Sequence, residues 1–369
     1  MFILGLDIGG ANTKAALIQF EEERVSDHIS TIEYFPFWEK TNSDIIEMFN
    51  RIIESLMTKF KISQETIEYI GVSITAELSD AFYTKREGIF IILEALKEVF
   101  DQNKLYFVTT HNNFINYSLA KKDYMSVAAA NWVATALYIG NFVKNCILID
   151  AGSTTIDVIP IIDSIPTTIG KDDTSRIFNH ELIYTGGLRA TIPSITHFVP
   201  YKGKLIRISF EKFALVSDVH RILSNITDEQ YINDTADNRS TSLEDCYARL
   251  ARIICSDLDL ISRKELDEIA EYIFKKQLEL VLLEIKSLMN NLIKWYPNFK
   301  TDPQFVITGL SANFLIKNVL ISLNYTNIKD FEQITNIPVN ISSSAFAVAG
   351  ALYFNHLTKK NYEIKESDI

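Results

Sequence analysis

Leu6-Asp7-Ile8-Gly9-Gly10-Ala11-Asn12-Thr13 recurs in altered form as Ile149-Asp150-Ala151-Gly152-Ser153-Thr154-Thr155. In both copies an apolar strand runs into an aspartate, passes a small polar turn with glycine, and resumes as a strand. The resumed strands are Ala15 to Ile18 and Ile156 to Ile161. Asp7 matches Asp150, and Gly9 matches Gly152. An echo of a whole strand–turn–strand unit at this distance reads as a duplicated domain core, not as a short solenoid repeat.

Working outward, each copy is expected to open one lobe, 1–143 and 144–369. In the first, amphipathic helix patterns at Ser43 to Phe60 and Ile89 to Phe100 flank apolar strands at Tyr69 to Thr75 and Leu105 to Thr110. Strands alternating with helices argue for an α/β layer structure. Ser126 to Ala136 and Ser344 to Ala351 read as helices with small-residue faces. Small residues let two helix backbones approach closely, so the final helix is expected to cross toward lobe one. Residues 163–303 read as a charged, mostly helical insertion in the second lobe. No stretch rich in Pro, Gly or Ser separates the lobes, which implies a tight hinge.

The 369 residues are 47% hydrophobic and 22% charged, a globular composition with enough chain for two ordinary domains. Net charge is −11, from 47 acids against 36 bases, with no long basic block. Nucleic acid and an anionic membrane surface are therefore not expected partners. The segment Phe2 to Asp7 lacks the basic start of a signal peptide, and Asp150 and Asp157 interrupt the most apolar region. Cys146, Cys246 and Cys255 have no CxxC spacing, and the expectation is reduced thiols in a cytoplasmic protein. A homo-oligomer is compatible with all of this.

Glycine permits positive φ and close backbone approach, and a tight turn of this kind aims successive N–H groups at one point, which suits phosphate oxygens. Gly9, Gly10, Asn12 and Thr13 are the candidate contacts of the first turn. Lys14 is either a neutralising cation or an outward-facing strand lysine. Gly152, Ser153, Thr154 and Thr155 form the second turn and add three hydroxyls. Two such turns facing each other would clamp a di- or triphosphate. Asp7, Asp150 and Asp157 are candidate Mg²⁺ ligands, directly or through water, since that ion prefers oxygen and keeps several waters. The alternative is that each turn merely closes a β-hairpin; the repetition with a strand-ending aspartate favours phosphate. There is no GxxxxGK[ST], and the glycines precede a strand where a Rossmann fingerprint demands a helix.

The two turns resemble the phosphate loops of the sugar kinase, heat-shock chaperone and actin superfamily. That resemblance implies two ribonuclease H-like lobes flanking a central cleft. Over almost its whole length the chain is similar to the hydantoinase/oxoprolinase-like family. The matching blocks are Thr75 to Asp80 with Arg86-Glu87-Gly88, Ala129 to Ala136, Glu181 to Gly186 with Arg189, Glu211 to Ala214 with Asp218, Thr235 to Arg239, and Arg249 to Arg252. Several lie inside the insertion, so the likeness reaches beyond the shared core. Within the family it points to methanofuran biosynthesis and tetrahydromethanopterin-linked one-carbon pathways of methanogenic archaea. The implied reaction joins an aminomethyl-furan methanol diphosphate to γ-glutamyltyramine, forms an aryl ether and releases pyrophosphate with Mg²⁺ present. The furan oxygen can stabilise positive charge on the furfuryl carbon as the diphosphate departs. The enzyme must then meet the developing charge with metal and amide donors and keep water from the carbon. Asp7 and Asp150 are the residues expected to organise that chemistry.

Further residues carry two readings each. Glu77 and Asp80 follow a strand, where α/β proteins place their sites; they would accept the phenol proton or grip the furan amine, or form a solvated turn. Tyr184 and Arg189 flank Thr185-Gly186-Gly187, an extra anion contact or a plain connection between helices. Arg239 is the candidate fork for the glutamyl carboxylate, with Arg189 as the runner-up and Asp237 to hold Arg239 or meet the glutamyl amine; the alternative is a surface Asp–Arg pair. Phe305 to Asn313 contains one glycine, Gly309, where nucleotide-binding relatives usually carry two or three, and Leu310 is expected to crowd a purine. The histidines show no zinc spacing. Two alternatives stay open: an ATP-dependent small-molecule kinase or hydantoinase-like amidohydrolase, and a phosphate- or nucleotide-gated binding protein without turnover.

Overall fold

The computed structural model describes residues 1–22, 24–337 and 343–358. In chain order they form β1 (Phe2–Gly9), β2 (Asn12–Glu21), β3 (Arg24–Tyr34), α1 (Asn42–Phe60), β4 (Ile67–Thr75), α2 (Lys85–Val99), β5 (Leu105–Val108), β6 (Phe114–Asn116), α3 (Tyr117–Lys122) and α4 (Asn131–Gly140). There follow β7 (Cys146–Ala151), β8 (Ile156–Ile162), β9 (Ile165–Pro166), α5 (Asp173–Phe178), β10 (Leu182–Ile183), α6 (Ile192–Ile195), β11 (Phe198–Tyr201) and β12 (Lys204–Arg207). The remainder is α7 (Val216–Ile222), α8 (Leu243–Arg252), α9 (Arg263–Trp295), β13 (Phe305–Thr308), α10 (Lys317–Ser322), β14 (Ile328–Asp330), α11 (Phe331–Thr335) and α12 (Ser343–Leu352).

Packing divides the chain into two units. One holds the described residues of Met1–Cys146, Ile159–Ser175 and Glu332–Ile369; the other is Ile147–Val158 with Arg176–Phe331. The sequence boundary at 143/144 therefore differs from the packed division mainly at 159–175 and at the final helix.

In the first unit one mixed sheet runs β3-β2-β1-β4-β5-β6. β1 is antiparallel to β2 and parallel to β4, and β4 is parallel to β5. The second sheet runs β10-β8-β7-β13-β14, with β7 parallel to β13, β13 parallel to β14, and β10 antiparallel to β8. The first five strands of one order thus match the second order place for place. This is the ribonuclease H-like arrangement, present twice, and it gives Asp7 on β1 and Asp150 on β7 equivalent positions.

Local chemistry explains the elements. α1 buries Ile45, Met48, Phe49, Ile52, Ile53 and Leu56 along one face, the spacing of an amphipathic helix. It starts where the Asp44 carboxylate accepts the Thr41 amide at 2.7 Å and stops at Lys61 in the left-handed region. α9, 33 residues long, opens with Ser262 and Glu265 in a reciprocal cap. Its first half closes a separate apolar cluster with α7 and α8, from Leu188 to Ile273.

The small-residue face of α12 lies on the first sheet. A β-carbon on Gly5 would stand 2.0 Å from the Ala345 carbonyl oxygen, and one on Gly71 would stand 3.0 Å from Val348. Close approach therefore falls between helix and strands, as well as at Gly350 against Tyr138 of α4. The helix expected from Ser126 begins only at Asn131. Ala128 bridges Ile74 and Ala129 donates to the Ile74 carbonyl at 2.9 Å with φ of 49°, so this stretch extends the β4 edge before the helix can start.

Candidate active site

The first turn is built by the β1–β2 hairpin. Asp7 is 5% exposed at the end of β1 and pairs across the ladder with Lys14. Its Oδ1 accepts Ser73 Oγ at 2.8 Å and its Oδ2 accepts Ser344 Oγ at 2.5 Å. Lys14 Nζ stands 3.7 Å from the same Oδ2 and donates to Ser344 Oγ at 3.2 Å. Lys14 is therefore turned toward the aspartate, not outward. The carbonyls of Gly10 and Ala11 accept the amides of Phe37 and Phe35 at 3.1 and 2.8 Å. With those acceptors taken, the turn presents no free carbonyl there to repel an anion.

Gly9 is needed for space, because its β-carbon would meet the Asn12 carbonyl oxygen at 2.8 Å. The positive φ expected of the turn glycines is absent: among the described residues, Gly9, Gly10 and Gly152 all lie outside that region. Asn12 is half-buried, whereas Thr13 is fully buried in β2. Thr13 Oγ1, buried in β2, has no hydrogen-bond partner among the described residues.

The second turn is clamped from its own unit. Gly152 N–H donates to the Thr155 carbonyl, and Gly186, Gly187, Leu188 and Arg189 donate back to the carbonyls of Thr154, Gly152, Ser153 and Ser153, at 2.9–3.1 Å. Thr185-Gly186-Gly187 does not join helix to helix; it is a strap laid along Gly152-Ser153-Thr154. A β-carbon on Gly186 would stand 2.6 Å from the Gly152 carbonyl oxygen, which explains the glycine. Tyr184 and Arg189 are exposed on either side of this strap.

Asp150 is half-buried at the end of β7, opposite Thr308 on β13. Gly309 follows with φ of 92°, and a β-carbon there would stand 2.5 Å from the Ala151 carbonyl oxygen and 2.8 Å from Asp150 Oδ1. Its single glycine thus serves the carboxylate, holding the β13 turn close beside it. Ser311 locks that turn through Oγ to the Ala151 carbonyl at 3.0 Å. Leu310 packs against the helical cluster of the second unit.

A chain of buried polar groups supports the strap from α9. Gln277, 1% exposed, donates through Nε2 to Thr185 Oγ1 and to the Gly186 carbonyl, both at 3.0 Å. Its Oε1 is left to accept His220 Nε2–H at 3.0 Å, and His220 Nδ1 then accepts Asn225 Nδ2 at 3.1 Å. Burial pushes His220 down to about 4, so it is neutral, as this one-donor, one-acceptor pattern requires. Gln277→Leu leaves three buried groups without partners. We expect a loss of about 2–4 kcal/mol in denaturant unfolding, on the scale of unsatisfied buried polar groups.

Glu77, on the loop after β4, is 1% exposed. Its Oε1 lies 3.7 Å from Lys85 Nζ, which also meets Asp173 at 3.2 Å. Oε2 is buried with no hydrogen-bond partner among the described residues. Burial, first, and Asp173 raise the carboxyl to about 7, against the opposing pull of its backbone hydrogen bond and Lys85. Glu77 therefore departs from the solvated-turn reading, whereas Asp80 is exposed.

Two expected roles do not match their surroundings. Asp157 accepts Arg176 Nη1 at 2.7 Å, and Arg176 also donates to the Glu181 carbonyl at 3.0 Å. A metal at Asp157 would have to displace a buried guanidinium, so the structural pair accounts for this residue. Arg239 is exposed and 3.8 Å from Asp237, whose oxygens serve Arg249 at 3.0 Å and Arg252 at 2.7 Å. Asp237 thus anchors the fully buried Arg249–Asp218 pair of the insertion rather than a substrate fork. Among the described residues no group of three His, Cys, Asp or Glu is arranged to hold a metal. Sequence reasoning missed Ser73, Ser344, Lys85 and Gln277 as partners of the site. Each reaches it from another strand or helix; Ser344, which opens the Ser344 to Ala351 stretch, and Lys85, beside the quoted Arg86-Glu87-Gly88 block, had a nearby signal.

Known proteins place the chain. The model of the hydantoinase/oxoprolinase family matches residues 68–354. A Methanocaldococcus jannaschii protein named (4-{4-[2-(gamma-L-glutamylamino)ethyl]phenoxymethyl}furan-2-yl)methanamine synthase is 35% identical over 353 residues, covering 95% of this chain and 98% of that one. A Methanococcus vannielii protein of the same name is 33% identical over 223 residues, 60% of this chain and 96% of that one. The nucleotide-free structure of acetone carboxylase aligns over 94% of this chain and 70% of its own, with 12% identity and a TM-score of 0.53, a likeness of fold alone. Among the described residues no helix is long and apolar enough to cross a membrane. With the family model spanning most of the chain and a relative matched almost end to end, the protein belongs to the hydantoinase/oxoprolinase family.

Proposed function

We propose that this enzyme makes the aryl ether of methanofuran biosynthesis, joining γ-glutamyltyramine through its phenol to aminomethyl-furan methanol diphosphate and releasing pyrophosphate. The observation that carries the reading is the end-to-end likeness to the Methanocaldococcus jannaschii synthase. Each of the two equivalent turns follows a strand that carries an aspartate, and each by itself suits a phosphate group. Gly9, Gly10 and Asn12 would offer backbone donors at the first turn; at the second, where the Gly152 N–H already donates to the Thr155 carbonyl, Ser153, Thr154 and Thr155 would offer backbone and hydroxyl donors. Lys14, held beside Asp7, adds a positive charge at the first.

Asp150, beside which Gly309 keeps any β-carbon away from Oδ1, is the carboxylate that would hold Mg²⁺ in the second unit, with water completing the shell. When bound, the metal supplies charge stabilisation to the departing pyrophosphate. The chain's own residues would orient that group and would have to keep water from the reactive carbon.

A thermal-shift comparison tests the leaving-group assignment. With Mg²⁺, pyrophosphate should raise the melting temperature more than ATP at equal concentration, because a ligand of the native state stabilises it by mass action. A larger shift with ATP would instead favour the kinase or amidohydrolase reading.

A further inference from the structure

From the enclosure of Glu77 and its place beside the first phosphate turn, we infer that this carboxylate is the general base that takes the phenol proton; the inference rests on the function proposed above. The Glu77-to-Asp80 loop touches the first turn directly. A β-carbon on Gly10 would lie 3.5 Å from Ser79 Cβ, and Phe82 stacks edge-on to Phe37, whose amide holds the Gly10 carbonyl. In the proposal, a phenol at Glu77 would meet a reactive carbon whose diphosphate lies at the Gly9-Gly10 turn of the same unit.

The carboxylate has one committed and one open oxygen. Oε1 faces Lys85 Nζ, while Oε2 is buried with no hydrogen-bond partner among the described residues. An unpartnered oxygen in a residue only 1% exposed is costly to keep unless a ligand group satisfies it. α2 is pressed onto the same loop: Gly88 has room for no side chain, since a β-carbon would stand 2.8 Å from Glu77 Cα. This packing fixes the backbone from which the carboxyl projects. The charged groups facing it are Lys85 from α2 and Asp173 from α5, and burial outweighs the lysine. A carboxyl titrating about 7 is a far better proton acceptor near neutrality than an ordinary glutamate.

In the step, the phenol O–H bond breaks and its proton goes to Glu77 Oε2. The phenol oxygen pair forms the new bond to the furfuryl carbon. The bond from that carbon to the diphosphate oxygen breaks, and its electron pair leaves with pyrophosphate. No oxidant or further reactant is needed. Lys85 acts as a positioning residue that orients Oε1.

The test compares two phenols in wild type and Glu77→Gln: γ-glutamyltyramine, and its analogue with fluorine on both carbons flanking the phenol oxygen. An ordinary phenol ionises near 10 and needs a base, whereas the fluorinated one ionises much more readily. Glu77→Gln should lower kcat on γ-glutamyltyramine by about 10²–10⁴-fold with little change in KM. The deficit should shrink at least about tenfold with the fluorinated phenol. Wild-type kcat/KM should rise with pH through about 7, a limb the variant lacks. Folding is checked separately. A carboxyl raised by burial contributes stability present below the ordinary glutamate range and lost as pH rises through about 7, so Gln should match or exceed the wild-type melting temperature at pH 8. An unchanged kcat, or an equal loss with both phenols, overturns the base assignment while leaving the reaction intact. A wild-type enzyme that makes no ether from either phenol overturns the functional reading itself, and this step with it.

Discussion

Replacement of Asp150 by asparagine should reduce turnover by about a hundredfold or more, the scale seen when a key electrostatic group of the transition state is lost. Asparagine keeps the shape and removes the charge. The carboxylate ends β7 with its flank kept clear by Gly309, and the core residues around it, Ile147, Leu148 and Ile149, are unaffected. The loss should therefore fall on kcat, with the melting temperature within a few degrees of wild type. Asp7→Asn should show a comparable loss, although Ser73 and Ser344 can still bond the amide oxygen. Lys14 would then face a neutral side chain, so some destabilisation is expected there as well. Steady-state rates at saturating Mg²⁺ measure both. Near-normal rates in both variants would remove the strand-ending aspartates from the mechanism.

Gly309→Ala should be the most damaging single methyl group in the second unit. The backbone stands at φ of 92°, a conformation that an L side chain adopts only with strain, and the added carbon would lie 2.5 Å from the Ala151 carbonyl oxygen and 2.8 Å from Asp150 Oδ1. Both neighbours sit on a central strand, so neither can yield cheaply. Destabilisation of about 2–4 kcal/mol is expected from strain and overpacking together. Activity should fall with it, because relief of the clash must move Asp150. Denaturant unfolding and turnover, measured on the same preparation, separate the two effects. Wild-type values of both would mean that the β13 turn does not crowd Asp150.

The legible part of the fold was the part written in consecutive residues. Asp7 to Thr13 and Asp150 to Thr155 fall at the ends of the equivalent strands β1 and β7, and the helix and strand patterns from Ser43 to Leu105 correspond to α1, β4, α2 and β5. What stayed hidden was tertiary. The glycines of the turns read as conformational freedom, but Gly9 and Gly186 are instead places where another backbone comes too near for a β-carbon. Thr185-Gly186-Gly187 looked like a connection because a strap across a distant turn leaves no local pattern. Asp157 resembled a third ligand until Arg176, 19 positions along the chain, was seen bonded to it. Arg239 had the right chemistry for a carboxylate and an exposed position that gives it none of the enclosure such a fork needs.

The central claim is a displacement of pyrophosphate by a phenol. Its most direct measurement incubates the protein with Mg²⁺, aminomethyl-furan methanol diphosphate and γ-glutamyltyramine, then follows product mass and pyrophosphate together. The account predicts one ether, of a mass equal to the two substrates less pyrophosphate, formed in equal amount with free pyrophosphate and without any nucleotide. Formation of the ether only when ATP is consumed, or release of pyrophosphate with hydroxymethyl-furan and no ether, would contradict it.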